Sequence, residues 1–248
     1  MKEKLLFVVF LLLACVGESF GLNEAPSPIE FGSVDSGGDI ENAANSAQSR
    51  KVAIVDKSGL HYPDPVAAMD DLATWCGTPS DVNPCLIRIM PGTYNLGTNR
   101  LNMKSYVDIE GSGENATKIK GRGPEGIVMI KGNSEMRYLT VEHDGGVERS
   151  IAVIAGPSRK LTNMTILSTK GSGTNYGIYH AMEILDQPPT PPLEVKNVTV
   201  IASGGNESIG IEQSFHGGFI KIYRSFIKGD MNSIRNSSGS ASAYDTVL

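Results

Sequence analysis

Tyr138-Leu139-Thr140-Val141, Asn163-Met164-Thr165-Ile166 and Asn197-Val198-Thr199-Val200 are one pattern written three times: a polar residue, an apolar residue, Thr, then an apolar residue. Arg224-Ser225-Phe226-Ile227 fits the same slot more loosely. The third position recurs at offsets of 25, 34 and 27 residues. A second set, Ile127, Ile151, Ile178, Ile209 and Ile234, recurs at offsets of 24, 27, 31 and 25, and the two sets alternate along the chain. Each segment is short and bounded by turn formers, as in Lys131-Gly132-Asn133 and Ser203-Gly204-Gly205-Asn206. Two strand columns that share one period, with loops of variable length between them, are what stacked β-coils require. The predicted fold is all-β: a right-handed parallel β-helix whose inward apolar residues bury one another from coil to coil. A compact sandwich also has many short strands, but it gives no reason for two columns to keep alternating phase. The offset of 34 has a visible cause in Asp186-Gln187-Pro188-Pro189-Thr190-Pro191-Pro192, whose prolines cannot join a ladder and must bulge outward.

Upstream of the repeats, Val52-Ala53-Ile54-Val55 and Leu86-Ile87-Arg88-Ile89-Met90 read as strands. Between them Asp64-Pro65 is a helix start, with a capping carboxylate and proline at the first helical position. Val66, Met69, Leu72 or Ala73, and Cys76 then follow at helical spacing, predicting one helix of about three turns that Gly77 and Pro79 stop. A solenoid needs its open strand edge covered, and this amphipathic segment is placed to cap it. At the other end, Asp245-Thr246-Val247-Leu248 is expected to lie inside a strand, which suggests further coils beyond it.

The first residues read as targeting. Lys2 and Lys4 precede an apolar run from Leu5 to Ala14 that is too short to span a bilayer comfortably, so residues 1–21 are expected to be a secretory signal. Two readings stand side by side: cleavage after Gly21, or a lipoprotein signal. Leu12-Leu13-Ala14-Cys15 resembles a bacterial lipoprotein box, in which Cys15 is lipidated and tethers the protein. That lipid would be the chain's one link to a membrane. Residues 22–50, rich in Ser, Asn, Gly and acidic residues, read as a flexible polar linker, with the β-helix domain at 51–248. The expected location is outside the cytoplasm: secreted, periplasmic or lipid-anchored at the cell envelope. Cys76 and Cys85 are then a disulfide candidate closing a short loop, since no His lies near them at zinc-ligand spacing. A net charge of −5 without a concentrated basic face argues against nucleic acid.

Met90-Pro91-Gly92-Thr93-Tyr94, Tyr106-Val107-Asp108-Ile109-Glu110-Gly111-Ser112-Gly113 and Thr117-Lys118-Ile119, in that order after a capping helix, resemble the opening of bacterial pectinesterase-like, pectin-lyase-fold β-helix proteins. The resemblance covers about Val52 to Gly121 and implies the solenoid fold and a polysaccharide as partner. It does not carry the family's chemistry across. Pectinesterases use an Asp nucleophile, an Asp acid/base and a substrate-holding Arg in Gln-Asp-Thr, Asp-Phe-Ile-Phe-Gly and Leu-Gly-Arg-Pro-Trp motifs. Here Gln-Asp-Thr is absent, and Ser225-Phe226-Ile227-Lys228-Gly229 has Ser in place of the nucleophilic Asp. The single tryptophan is Trp75 on the capping helix, and Leu96 stands where the family's Gly-x-Tyr-x-Glu has Glu. No catalytic residue is transferred.

Other polar groups have bland readings. His143 and Asp144 are neighbours in an extended segment, so they face opposite ways and read as turn residues. His180, Glu183, Glu212 and His216 fall on adjacent coils, where stacking can gather a polar cluster. Asp186, Glu194, Asp230 and Asp245 are too scattered for a calcium site, so no metal or cofactor is expected. Five Asn-x-Ser/Thr sequons, at Asn115, Asn163, Asn197, Asn206 and Asn236, read better as turn Asn followed by strand Thr or Ser than as glycan acceptors. The functional expectation is an exported β-helix protein without recognisable catalytic motifs that binds polysaccharide or a surface partner. The alternative is a carbohydrate-active ester hydrolase or polysaccharide lyase.

Overall fold

Thr140, Thr165 and Thr199 stand directly above one another on successive parallel strands, Ser134–His143, Arg159–Ser168 and Leu193–Ala202. The computed structural model describes residues 50–180, 191–214, 218–237 and 240–248. The expected signal, Cys15, nearly all of the linker, Glu183, His216 and most of the Asp186–Pro192 insertion lie outside these residues.

The described strands form two parallel sheets, one of eleven strands and one of six, wound as a right-handed solenoid. In the larger sheet each full coil contributes one bent strand. The bend falls at Tyr138, Asn163, Asn197, Arg224 and Asp245, which hold φ of 57°, 51°, 53°, 45° and 47° and are in register from coil to coil. Left-handed backbone turns the strand sharply, and Asn tolerates it best among non-glycine residues. The last strand therefore ends at Tyr244, with Asp245 as its corner and Val247 bridged to Phe226. Asp245 is not the strand-interior residue that the sequence suggested.

Three apolar columns fill the interior. Ala53, Ile87, Ile109, Met136, Leu161, Val195 and Ile222 form the first. Tyr94, Ile119, Val141, Ile166, Val200 and Ile227 form the second. Leu101, Val128, Val153, Ile178, Ile211 and Ile234 form the third, on the smaller sheet. Nearly all are fully buried. At about 1.5–3 kcal/mol per buried Val, Leu or Ile, these columns dominate the stability of each coil.

The capping segment is two short helices, Pro65–Asp70 and Leu72–Trp75, where the spacing predicted one. Asp64 Oδ1 caps the first by accepting from the backbone N–H of Val66 and Ala67, both at 2.9 Å. Asp71 breaks the run at φ −90°, ψ 16°; its carboxylate receives the Tyr62 hydroxyl, which pins it outside helical geometry. Trp75 Nε1 reaches back to the Ala68 carbonyl at 2.7 Å and ties the two pieces together. Ala68, Met69, Leu72 and Cys76 still face the core, so the amphipathic face survives the break. Cys76 and Cys85 are bonded as a disulfide with Cα atoms 6.2 Å apart.

Candidate functional site

The smaller sheet carries the densest unusual chemistry, and a local slip in strand phase creates it. Strict alternation would place residues two apart on the same face. On Arg149–Ala155, however, both Ala152 and Val153 belong to the main core, whereas Ile151 and Ile154 belong to a second cluster on the outer face. The slip repeats at Gly177 on Thr174–His180 and at Gly210 on Glu207–Gln213. A Cβ on Gly177 would lie 2.2 Å from Val200 Cγ1 and 2.6 Å from the Gly210 carbonyl oxygen, so this inward position accepts no side chain.

The slip corrects the register read from sequence. Ile151 and Ile178 are on neighbouring strands but in different columns: Ile151 pairs with Tyr176 and Ile178 with Val153. Ile151 and Ile209 face outward, whereas Ile178 and Ile234 face the core. The outer face also gains Tyr176 and Tyr179, three residues apart, with rings 5.4 Å apart at 68°.

Arg149 lies over both rings, its guanidinium carbon 5.5 Å from the Tyr176 centroid and 4.8 Å from that of Tyr179. It is exposed, and among the described residues it takes part in no ion pair. Arg235, one face-width away, is fully engaged. Its Nε donates to Glu212 Oε2 at 2.5 Å, Nη1 to Glu207 Oε2 at 3.2 Å and Nη2 to the Tyr176 hydroxyl at 3.4 Å. Ser237 Oγ donates to the other Glu212 oxygen at 3.2 Å. Burial opposes the Arg235 charge, but the two carboxylates outweigh it and hold the guanidinium more firmly protonated than usual. Burial also pushes the Tyr176 phenol up, keeping it neutral. Among the described residues the face thus presents one available cation, Arg149, on an aromatic base, beside an ion-paired Arg–Glu–Glu group.

Of the expected polar cluster, Glu183 and His216 lie outside the described residues, and the two described members, His180 and Glu212, face opposite ways. His180 pairs in register with Gln213 and points inward, while Glu212, one position earlier, points outward to Arg235. His143 and Asp144 do face opposite ways. The buried His143 ring accepts the Gly145 N–H at Nδ1 and donates from Nε2 to the Gly123 carbonyl, both at 3.0 Å. Asp144 instead pairs with Lys120 at 3.0 Å and Lys170 at 3.2 Å. Ser225, in the slot of the pectinesterase nucleophile, is buried beside a corner; its Oγ accepts from Val198 N at 3.1 Å and donates to the Tyr223 carbonyl at 2.8 Å. Among the described residues no three His, Cys, Asp or Glu side chains converge as a metal cradle requires.

A cleft of about 450 Å³ opens elsewhere, lined in part by Asp108, Glu135, Lys160 and Glu194. Its carboxylates are answered locally: Asp108 pairs with Arg50 at 2.5 Å, Glu135 with Arg137 at 2.9 Å and Glu194 with Lys160 at 3.7 Å. On the tyrosine face Arg149 has no carboxylate partner among the described residues, which is why it is the stronger candidate. Reading the sequence for charged and acidic motifs missed Arg149, Tyr176, Tyr179, Glu207 and Arg235. The signal available was Tyr-x-x-Tyr about one coil after an Arg.

No protein-family profile matches the chain, and no curated protein sequence matches it. Solved structures do. A rice weevil pectin methyl esterase aligns at 12% identity and TM-score 0.49, over 80% of this chain and 66% of that one. A pectin methylesterase from Erwinia chrysanthemi aligns at 14% identity and TM-score 0.44, over 76% of this chain and 66% of that one. One from carrot aligns at 12% identity and TM-score 0.43, over 79% and 82% respectively. The chain thus spans just under two thirds of the weevil and Erwinia proteins. It has a right-handed parallel β-helix fold, with parallel strands stacked coil on coil.

Proposed function

We propose that this chain is an exported, non-catalytic β-helix protein that binds polysaccharide on the outer face of its smaller sheet. The observation that carries the reading is Arg149, exposed, without an ion pair among the described residues, and held over Tyr176 and Tyr179. A guanidinium has five donors for ligand oxygens, and an aromatic base offers an apolar surface for the C–H faces of a sugar ring. Tyr176 is largely buried and braces the arrangement, so the ligand meets Arg149 and the partly exposed Tyr179. The carboxylates argue for binding over catalysis. Glu212 is 4% exposed with both oxygens occupied, and Glu207 is committed to Arg235. Neither is poised as a free acid or base. Export is supported by the basic start and apolar run of residues 1–21 and by the Cys76–Cys85 bond. Cleavage after Gly21 gives a secreted form and lipidation of Cys15 a tethered one.

The test is calorimetric titration of purified protein with a panel of plant and bacterial polysaccharides, alongside assays for methanol release and unsaturated products from pectin. The expected result is binding to at least one polymer without turnover, weakened about tenfold in Arg149→Ala, a change of ~1.4 kcal/mol. Turnover by the wild-type protein overturns the non-catalytic reading. Binding that Arg149→Ala leaves intact overturns the assignment of the face.

A further inference from the structure

His180 is fully buried, and among the described residues neither ring nitrogen has a hydrogen-bond partner. Buried polar groups are nearly always satisfied, so an imidazole left unpaired at both ends calls for an explanation. His143 supplies the contrast within the same molecule, with both nitrogens bonded to backbone.

The surroundings of His180 explain which form it takes. Its register partners on either side are Ala155 and Gln213, which carry no charge. On its own strand Tyr179 points outward, as do Glu212 on one flanking strand and Ile154 on the other. The charge that acts on it comes from Arg159, itself 4% exposed at the start of the neighbouring bent strand. Protonating the ring therefore places a second cation in the interior near Arg159, with no acceptor among the described residues for the new N–H. Burial first, and Arg159 second, lower its pKa to about 4.

We propose that His180 is an acid-sensitive latch: neutral, it lets the strand Thr174–His180 seat against the interior, and protonated, it forces that strand out. The direction follows from linkage. In the unfolded chain the ring takes its proton near 6.5, whereas in the folded chain it resists until about 4. The seated state keeps its full stability above pH 6.5 and loses it progressively between 6.5 and about 4. Across that window the seating equilibrium falls on the order of a hundredfold. Tyr176 and Tyr179 ride on the same strand, so the outer face is released with it; this last consequence rests on the polysaccharide reading above.

The experiment is hydrogen exchange of the full chain from pH 7.5 to 4, corrected for intrinsic exchange, reading the amides of 174–180. Wild-type protection should fall at least tenfold below pH 6 in this strand before the interior strand Arg159–Ser168 responds. His180→Gln should remain protected, since Gln213 shows that the column accepts this side chain on the next coil; His180→Met serves if that variant fails to fold. Equal acid loss in wild type and variant, or wild-type protection unchanged to pH 4, overturns the latch. The readout needs no ligand, so it fails or succeeds separately from polysaccharide binding at neutral pH.

Discussion

Asn197 Nδ2 donates to Asn163 Oδ1 at 2.9 Å, across 34 residues of sequence and one coil of structure. Both residues hold left-handed backbone, φ 53° and 51°. Asn suits the position twice over, because it tolerates this conformation and its amide offers both a donor and an acceptor for stacking. Replacing Asn163 with Ala removes the bond and leaves a Cβ in a strained conformation, and should cost about 1–2 kcal/mol. Asn163→Gly keeps the conformation accessible and should cost less than Ala. Urea denaturation of the two variants checks the order; Ala equal to or milder than Gly would refute the corner argument.

The Arg149–tyrosine contact should be measurable without ligand. In a double-mutant cycle of Arg149→Ala and Tyr179→Ala, the coupling energy should be about 0.5–1 kcal/mol, the range for exposed cation–π pairs. Thermal unfolding of the four proteins gives the value. Strict additivity would mean that the guanidinium is not held on the rings in solution.

Cys76 and Cys85 close a short loop that ties the capping helices to the second strand. By loop entropy alone their bond should stabilise the domain by about 2–3 kcal/mol. The double variant Cys76→Ser, Cys85→Ser should lose that amount in denaturant unfolding, and reductant should destabilise the wild type while leaving the variant unchanged. Equal sensitivity of both proteins to reductant would contradict the bond.

Gly177 is set by space. An Ala Cβ would meet Val200 Cγ1 at 2.2 Å and a backbone carbonyl oxygen at 2.6 Å, and the carbonyl has no rotamer with which to move away. Gly177→Ala should cost about 2–3 kcal/mol and lower the melting temperature by several degrees. Gly132→Ala, with nothing within 4 Å of the added Cβ, is the matched control and should be near neutral.

The Thr140–Thr165–Thr199 ladder, the columns inside it and the disulfide partners were legible in the sequence, for a physical reason. On the larger sheet, inward and outward residues alternate strictly from each corner, so burial writes itself into the chain as a repeat: Leu139 and Val141, Met164 and Ile166, Val198 and Val200. Where alternation holds, one dimension of sequence is enough to assign faces. The smaller sheet breaks it at Ala152, Gly177 and Gly210, small residues whose composition does not distinguish a phase slip from ordinary strand. Only coil-on-coil packing decides the phase there, through the backbone and Val200 pressing on Gly177. That decision put Ile151 outside and Ile178 inside, turned Tyr179 toward Arg149, and enclosed His180 without a hydrogen-bond partner among the described residues. It also brought Arg235 to the Tyr176 hydroxyl across 59 residues of chain. The solenoid was therefore fixed by a burial period visible in the residues themselves, whereas the composition of its outer face depended on a half-turn of strand phase that exists only once the coils are stacked.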